Sequence, residues 1–289
     1  MDAIFGIWQT SAPLVLAALA GLLSQRTGIW HLGLGGLISA GAMVGVVVTK
    51  ATGTIGLGVV AGALAGVLLS LVMWAVIDRL GANAIIVGIG INSLGLSGTI
   101  LGLVALYGTE GTVRSPAGLP KFLAGAPGQV GQLSLLAALT PLAVILVWFV
   151  ITRTRLGLQI TAVGDHPFAA RSAGISTSRM RLLVFLVGGV FAGLAGVELA
   201  LGSLGSFTPN MEGGRGLIAF AAVILGSAGP LRTTAAAVMF GAVTYLGIWA
   251  QLNLQAVPAP LVLAIPYLVV VLAVVLASRV GRARVNRSR

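Results

Sequence analysis

Polar side chains that interrupt long apolar stretches are the residues of this chain best suited to chemistry. Asn92 lies near the middle of one such stretch, which also contains Asn83 and Ser93. In apolar surroundings an amide or hydroxyl group needs a partner, because leaving it unpaired away from water is costly. That partner is either a polar ligand or another helix, and the sequence leaves both roles open. These three residues are therefore candidates to line a path for a polar solute.

Glu198 and Arg215 are opposite charges at the two ends of a short polar segment. Glu198 lies near the end of one apolar stretch, and Arg215 precedes another, 216–231, of only 16 residues. A helix of that length covers about 24 Å, less than the roughly 30 Å of a bilayer core. Short spans often line transport paths. The pattern predicts that the two charges pair at an outer gate, with two solvated interface charges as the alternative.

Motifs that would support catalysis are missing from the sequence. The chain has no Cys, only two His residues that are far apart, and six acidic residues in all. Neither Lys50 nor Lys121 follows a glycine, as the lysine of a phosphate-binding loop does. We therefore expect no enzymatic activity, no metal, no cofactor and no ATP site in this chain.

The composition predicts an integral membrane protein. Hydrophobic residues make up 57% of the 289 residues and charged residues only 8%. Soluble domains usually carry about a quarter charged residues, so a soluble enzyme and a disordered chain are poor interpretations. The net charge of +11 does not indicate nucleic acid binding, because the charges stand in short clusters between apolar stretches.

Apolar stretches divide the chain into about nine predicted transmembrane helices. They cover residues 4–24, 31–49, 54–77, 84–107, 133–151, 181–201, 216–231, 233–252 and 259–278. With the N-terminus outside and the C-terminus inside, 13 of the 17 Lys and Arg residues fall on the inner side, as the positive-inside rule requires. The basic tail 279–289 is then an anchor on the inner face.

Glycines at helix-packing spacing indicate a compact all-α bundle that forms a single domain over residues 1–289. Small residues four apart let helices approach closely in lipid. Such pairs are Gly41–Gly45, Gly58–Gly62–Gly66, Gly98–Gly102 and Gly189–Gly193. The segments 36–45 and 216–226 also share a Gly-Leu-Ile start, a weak internal echo whose halves cross in opposite directions in this topology.

The inner loop 152–180 contains signals for a short helix. Asp165 is suited to cap its start, Pro167 to its first turn and Gly174 to its end. Phe168 and neighbouring alanines form a small apolar face. So short a helix needs packing to persist, so we expect it either to fit a groove on a partner protein or to be part of an ordinary basic loop.

Three parts of the chain follow one family pattern. They are Ser24 to Gly36; Leu156-Gly157, Ala162 to Pro167, Ala169 to Arg171 and Ala173 to Ile175; and Met211 to Ala219 with Gly226, Pro230 and Ile265-Pro266-Tyr267. These stretches resemble the ABC importer permeases of the branched-chain amino acid, ribose and nucleoside superfamily, and the third resembles the nucleoside branch. The family often has Asn at the position of His31 and Glu at that of Gly35, so we assign no substrate contacts to that segment.

The resemblance implies a type II ABC importer-like permease in the bacterial plasma (inner) membrane that moves nucleosides inward by alternating access. Permeases for branched-chain amino acids or sugars are the alternatives, and an ATP-independent channel or secondary transporter is the alternative of another class. The implied partners are a separate ATPase, a second related permease and an extracellular substrate-binding lipoprotein, besides the lipid bilayer. The implied coupling residues are Gly164, Asp165, His166, Pro167, Phe168, Ala169, Ala170, Arg171 and Gly174.

Overall fold

The computed structural model describes residues 2–122, 125, 128–253 and 268–269 of the chain. Seven helices among them are long and apolar enough to cross a membrane. In chain order the helices are α1 (Asp2–Arg26), α2 (Leu34–Thr52), α3 (Ile55–Trp74, continued by the π-helix Ala75–Arg79), α4 (Ala84–Tyr107), α5 (Leu135–Arg153), α6 (Arg155–Asp165), α7 (Pro167–Ser172), α8 (Thr177–Val197, continued by the π-helix Glu198–Leu204), α9 (Arg215–Leu225) and α10 (Pro230–Asn253).

The long helices confirm seven of the predicted spans, while the span 216–231 is wrong as drawn. Its helix, α9, has 11 residues and ends at Leu225, so it covers only about 16 Å. A turn over 226–229 then leads into α10. The predicted span 259–278 and the tail 279–289 lie outside the described residues, apart from 268–269, and the count of nine helices is therefore not confirmed.

The two ends of α1 define the two ends of the bundle. Gln9, near the start of α1, binds Glu198, and Arg26, at its end, binds Ala228. The chain thus leaves α8 at the Gln9 end of the bundle and enters α10 at the Arg26 end. The irregular segment 205–214 and α9 together make this crossing. Non-helical backbone is tolerated at membrane depth only where protein or water covers it.

Helix α1 is the centre of the bundle. It packs against α5, α8, α9 and α10, and every residue from Ser11 to Ser24 is buried. By contrast, α3, α4 and α5 expose large apolar side chains, including Leu64, Leu68, Ile86 and Leu142. Exposed apolar area of this extent is suited to lipid or to another membrane protein, and not to water.

Glycines bring α2, α3 and α8 into backbone contact, as their spacing predicts. A Cβ at Gly193 would lie 2.5 Å from the carbonyl oxygen of Gly62, and one at Gly41 would lie 2.5 Å from that of Gly193. Gly66 similarly faces the backbone of α8. Gly98 is an exception, because nothing lies within 4 Å of its position.

A two-stranded antiparallel sheet joins two loops at the Gln9 end of the bundle. Strand β1 (Val113–Arg114) pairs with β2 (Ser206–Phe207), which directly follows α8. Leu119 continues the contact by donating its amide hydrogen to the carbonyl of Leu201. The loop after α4 is thereby fixed to the end of α8.

Candidate functional site

The predicted short helix in the inner loop is α7, at the Arg26 end of the bundle. Pro167 occupies its first turn, as expected. Gly174 ends it with a φ of +80°, a conformation that glycine adopts without strain. The amide groups of Gly174 and Ile175 donate to the carbonyls of Arg171 and Ala170, which is the Schellman arrangement of a helix end.

The predicted cap of α7 is wrong. Asp165 is the last residue of α6, and the residue before α7 is His166, whose side chain makes no capping hydrogen bond. The reason is that α6 continues through Gly164 up to Asp165, so Asp165 is inside a helix and not before one. The last turn of α6 packs on the end of α1, where a side chain at Gly164 would collide with the carbonyl of Arg26.

The side chains of α7 divide into an inward and an outward set. Ala170 is only 4% exposed, so it anchors the helix to its own chain and does not face a partner. Phe168 is 78% exposed, and the guanidinium of Arg171 lies 5.0 Å from the centre of its ring. Ala169 is also exposed. The surface that α7 presents is therefore an aromatic ring with a cation above it.

The connection between α1 and α2 carries a buried histidine. His31 stacks on Phe185, with ring centroids 5.5 Å apart, and neither of its ring nitrogens has a hydrogen-bond partner among the described residues. Burial lowers the pKa of His31 from 6.5 to about 4, so the ring is neutral near pH 7. Its role in this structure is to pack against α8.

Glu198 belongs to a hydrogen-bond network and not to the predicted pair with Arg215. Its carboxylate accepts hydrogen bonds from Gln9 and Ser134, both at 2.7 Å. Arg215 instead donates to the main-chain carbonyls of Met211 and Glu212. The π-helix carries Glu198 toward α1 and α5, whereas Arg215 lies at the start of α9.

The network around Glu198 predicts a structural effect of its removal. Glu198→Ala leaves the buried hydroxyl of Ser134 without an acceptor, at a cost of about 1–3 kcal/mol, while the half-buried amide of Gln9 keeps its contact with Ser203. We expect a clearly lower thermal unfolding midpoint for purified Glu198→Ala, and a smaller loss for Glu198→Gln, which keeps an acceptor oxygen. Wild-type stability combined with impaired uptake would instead support a role at a gate.

The three polar candidates on α4 have different surroundings. Asn83 caps the helix, because its side-chain oxygen accepts from the amides of Ile85 and Ile86. Ser93 is exposed on the outer face of α4. Asn92 faces α2 and accepts a hydrogen bond of 2.7 Å from the amide of Gly36. Of the three, Asn92 therefore lies against another helix within the bundle.

Sequence reasoning missed Glu212, which the structure brings next to Asn92. Glu212 is buried and accepts a hydrogen bond of 3.1 Å from the amide of Gly216. A Cβ at Gly35 would lie close to both side-chain oxygens, 2.5 Å from that of Asn92 and 3.1 Å from that of Glu212. An acidic residue three positions before the first residue of an apolar helix was the available signal.

Comparison with known proteins identifies a transport family. Residues 3–276 match the family model described as the permease component of the branched-chain amino acid transport system. The chain is 32% identical to the guanosine ABC transporter permease protein NupQ of Bacillus subtilis over 94% of this chain and 90% of the relative. It is 30% identical to the nucleoside ABC transporter permease protein NupC of Lactococcus lactis over the same shares.

A further relative carries a sugar in its name. The putative glucose ABC transporter permease protein TsgC13 of Haloferax volcanii is 34% identical over 84% of this chain and 76% of the relative. No solved structure matches the chain significantly. A family match over nearly the whole length, together with the relatives, shows what kind of protein this is: the chain belongs to the family of branched-chain amino acid transport system permease components.

Proposed function

We propose that this permease imports nucleosides and that a separate ATPase docks on α7 to drive the transport. The observation that carries the docking proposal is the exposed ring of Phe168 on a helix anchored by Ala170. A fixed helix that presents an exposed aromatic side chain is suited to fill a groove on another protein. Because the sequence lacks a phosphate-binding loop, the energy for active uptake comes from such a partner.

The substrate class rests on the relatives. Two of them, NupQ and NupC, carry guanosine or nucleoside in their names and align with 94% of this chain. Neutral polar side chains on α4 and α2, Asn92 and Ser39, also favour a solute that forms hydrogen bonds. A sugar is the second candidate, because TsgC13 has the higher identity, 34%, over a smaller share of the chain.

Competition between solutes distinguishes the two candidates. We expect cells that express the complete importer to accumulate labelled guanosine, and we expect unlabelled nucleosides to suppress this uptake while glucose in equal excess does not. A strain that lacks this permease is the control. Suppression by glucose alone would assign the importer to sugars, and accumulation that persists without ATP would indicate a channel.

The remaining parts of the importer follow from the same proposal. A second, related permease packs beside this chain, an extracellular lipoprotein delivers the solute, and the complex lies in the bacterial plasma membrane. In this arrangement the Arg26 end of the bundle, which carries α7, faces the cytoplasm, the N-terminus is outside and the C-terminus inside. Reporter fusions at the two termini test this orientation, which fails if both report the same side.

A further inference from the structure

Helices α2 and α9 begin at the same point inside the bundle. A Cβ at Gly216 would lie within 2.6 Å of the Cα atom of Gly35, so the two backbones touch where the helices start. Gly36 is in similar backbone contact with Asn92 of α4. The missing side chains of Gly35 and Gly216 let the two backbones touch. This backbone contact leaves no space for a solute between the two helix starts.

From this junction the two helices extend in opposite directions. Helix α9 ends near Ala228 at the Arg26 end of the bundle. Helix α2 extends the other way, where its residues Ala42 and Val46 pack with Leu201 near the Gln9 end. These are the segments that share the Gly-Leu-Ile start. A short helix, α9, that meets the start of a helix of opposite direction inside the bundle is typical of transport sites built from inverted repeats.

Side-chain oxygens satisfy the first amides of both helices. The amide oxygen of Asn92 accepts from Gly36, and a carboxylate oxygen of Glu212 accepts from Gly216. The first amides of a helix have no partner within the helix and need one from elsewhere. Asn92 therefore fixes the start of α2 from α4, and Glu212 fixes the start of α9 from the segment just before it.

A second observation at the junction is the unpartnered hydroxyl of Ser39. The residue is 1% exposed, and its oxygen has no hydrogen-bond partner among the described residues. Ser39 lies one turn after Gly35 on the same face of α2, and side chains in a helix lean toward its N-terminus. Its hydroxyl is thus oriented toward the junction. An unpaired buried hydroxyl is costly. A hydrogen bond from Ser39 to water or to a solute would offset this cost.

The far end of α9 is tied to the segment that carries α7. The guanidinium of Arg26 donates to the carbonyl of Ala228 at 2.8 Å, and Gly164 of α6 packs directly on the backbone of Arg26. Ser227 and Ala228 have positive φ angles of 49° and 53°, which non-glycine residues rarely adopt. A displacement of α6 and α7 therefore reaches α9 through two short contacts.

We propose that the junction of α2 and α9 is a gate of the permease, closed in this structure by the backbone contact of Gly35 with Gly216 and framed by the caps that Asn92 and Glu212 place on the two helix starts. When the gate opens, Ser39 meets water or the hydroxyl groups of a neutral solute. This inference rests on the proposed function as a transporter, but it does not depend on which neutral solute is carried.

Accessibility of residue 39 tests the gate directly, because the chain has no native Cys. Ser39→Cys is nearly isosteric and loses no hydrogen bond. In vesicles with the complete importer, we expect a small methanethiosulfonate reagent to modify this residue about tenfold faster during ATP-driven uptake than without ATP, since reactivity follows the population of the open state. Ser70→Cys is the matched control, because Ser70 is equally buried and donates to Phe185 in the contact of α3 with α8. Equal rates at positions 39 and 70 during active uptake would overturn the proposal.

A second pair of variants reads the gate without ATP. Gly216→Ala places a methyl group against the backbone of Gly35, whereas Gly90→Ala on α4 adds one where nothing lies within 4 Å. We expect vesicles with folded Gly216→Ala to lose trapped guanosine and glucose several-fold faster than those with wild type or Gly90→Ala. A leak equal to wild type overturns the gate. If the wild-type complex shows no ATP-driven uptake but Gly216→Ala leaks, the proposed function fails while the gate remains.

Discussion

Phe168→Asp is expected to abolish ATP-driven uptake while the permease still folds and inserts. The side chain is 78% exposed, so a carboxylate at this position stays in water as long as α7 is free. In a docked complex the carboxylate would lose its water where an apolar ring is expected to pack, at a cost of about 3 kcal/mol or more. That cost corresponds to roughly 100-fold weaker binding of the ATPase.

Copurification of the ATPase and uptake by vesicles measure this effect together. Phe168→Leu is the matched control, because it keeps an apolar side chain of similar reach and should retain most of the activity. Ala170 is not a suitable position for this test, since it is buried in its own chain and a charge there would disturb the permease itself. Normal ATPase binding by Phe168→Asp would show that α7 is not the docking element.

Gly193→Val is expected to prevent the bundle from assembling. A single Cβ at this position would already lie 2.5 Å from the carbonyl oxygen of Gly62 and 2.9 Å from the Cα atom of Ala63, and valine adds two further carbons. Overpacking of a close contact typically costs about 1–3 kcal/mol. Here the obstacle is backbone, which has little room to move away, so we expect a cost at or above the upper end of that range.

The yield of monodisperse protein and its thermal unfolding midpoint report this loss. Gly98→Val is the control, because Gly98 has the same residue type in a similar apolar helix but no neighbour within 4 Å. We expect Gly98→Val to purify like wild type. Comparable yields and midpoints for the two variants would mean that the contact of α3 with α8 is looser than the structure describes.

Hydropathy and local spacing account for the features that could be predicted. Seven spans are confirmed because a helix that crosses lipid must satisfy its own backbone and therefore needs a long apolar sequence. The glycines of α2, α3 and α8 are confirmed as contacts because only small residues allow such an approach. Pro167 and Gly174 bound α7 as expected, because both act through their own backbone conformations.

Two predictions were wrong because they depended on how far a neighbouring helix extends or on which distant residues pack together. Asp165 was expected to cap α7, but α6 extends to it. Glu198 and Arg215 are close in sequence and opposite in charge, yet Glu198 binds Gln9 and Ser134 instead. Gln9 is 189 positions from Glu198 in the sequence, and Ser134 is 64 positions from it. No spacing rule operates over such separations.

The sequence by itself determined that this is a membrane protein with an apolar glycine-rich bundle and a short helix in a basic loop, and its resemblance to importer permeases indicated the class. The membrane bundle and the short helix follow from composition, apolar length and local backbone preference. Only the tertiary structure decided that the segment 216–231 is a half-length helix, that its start meets the start of α2, and that Glu212 and Asn92 cap the two helices there. The physical reason is that a cap or a close backbone contact depends on which segments the fold brings together, and residues 35, 92 and 216 become neighbours only when three helices have packed.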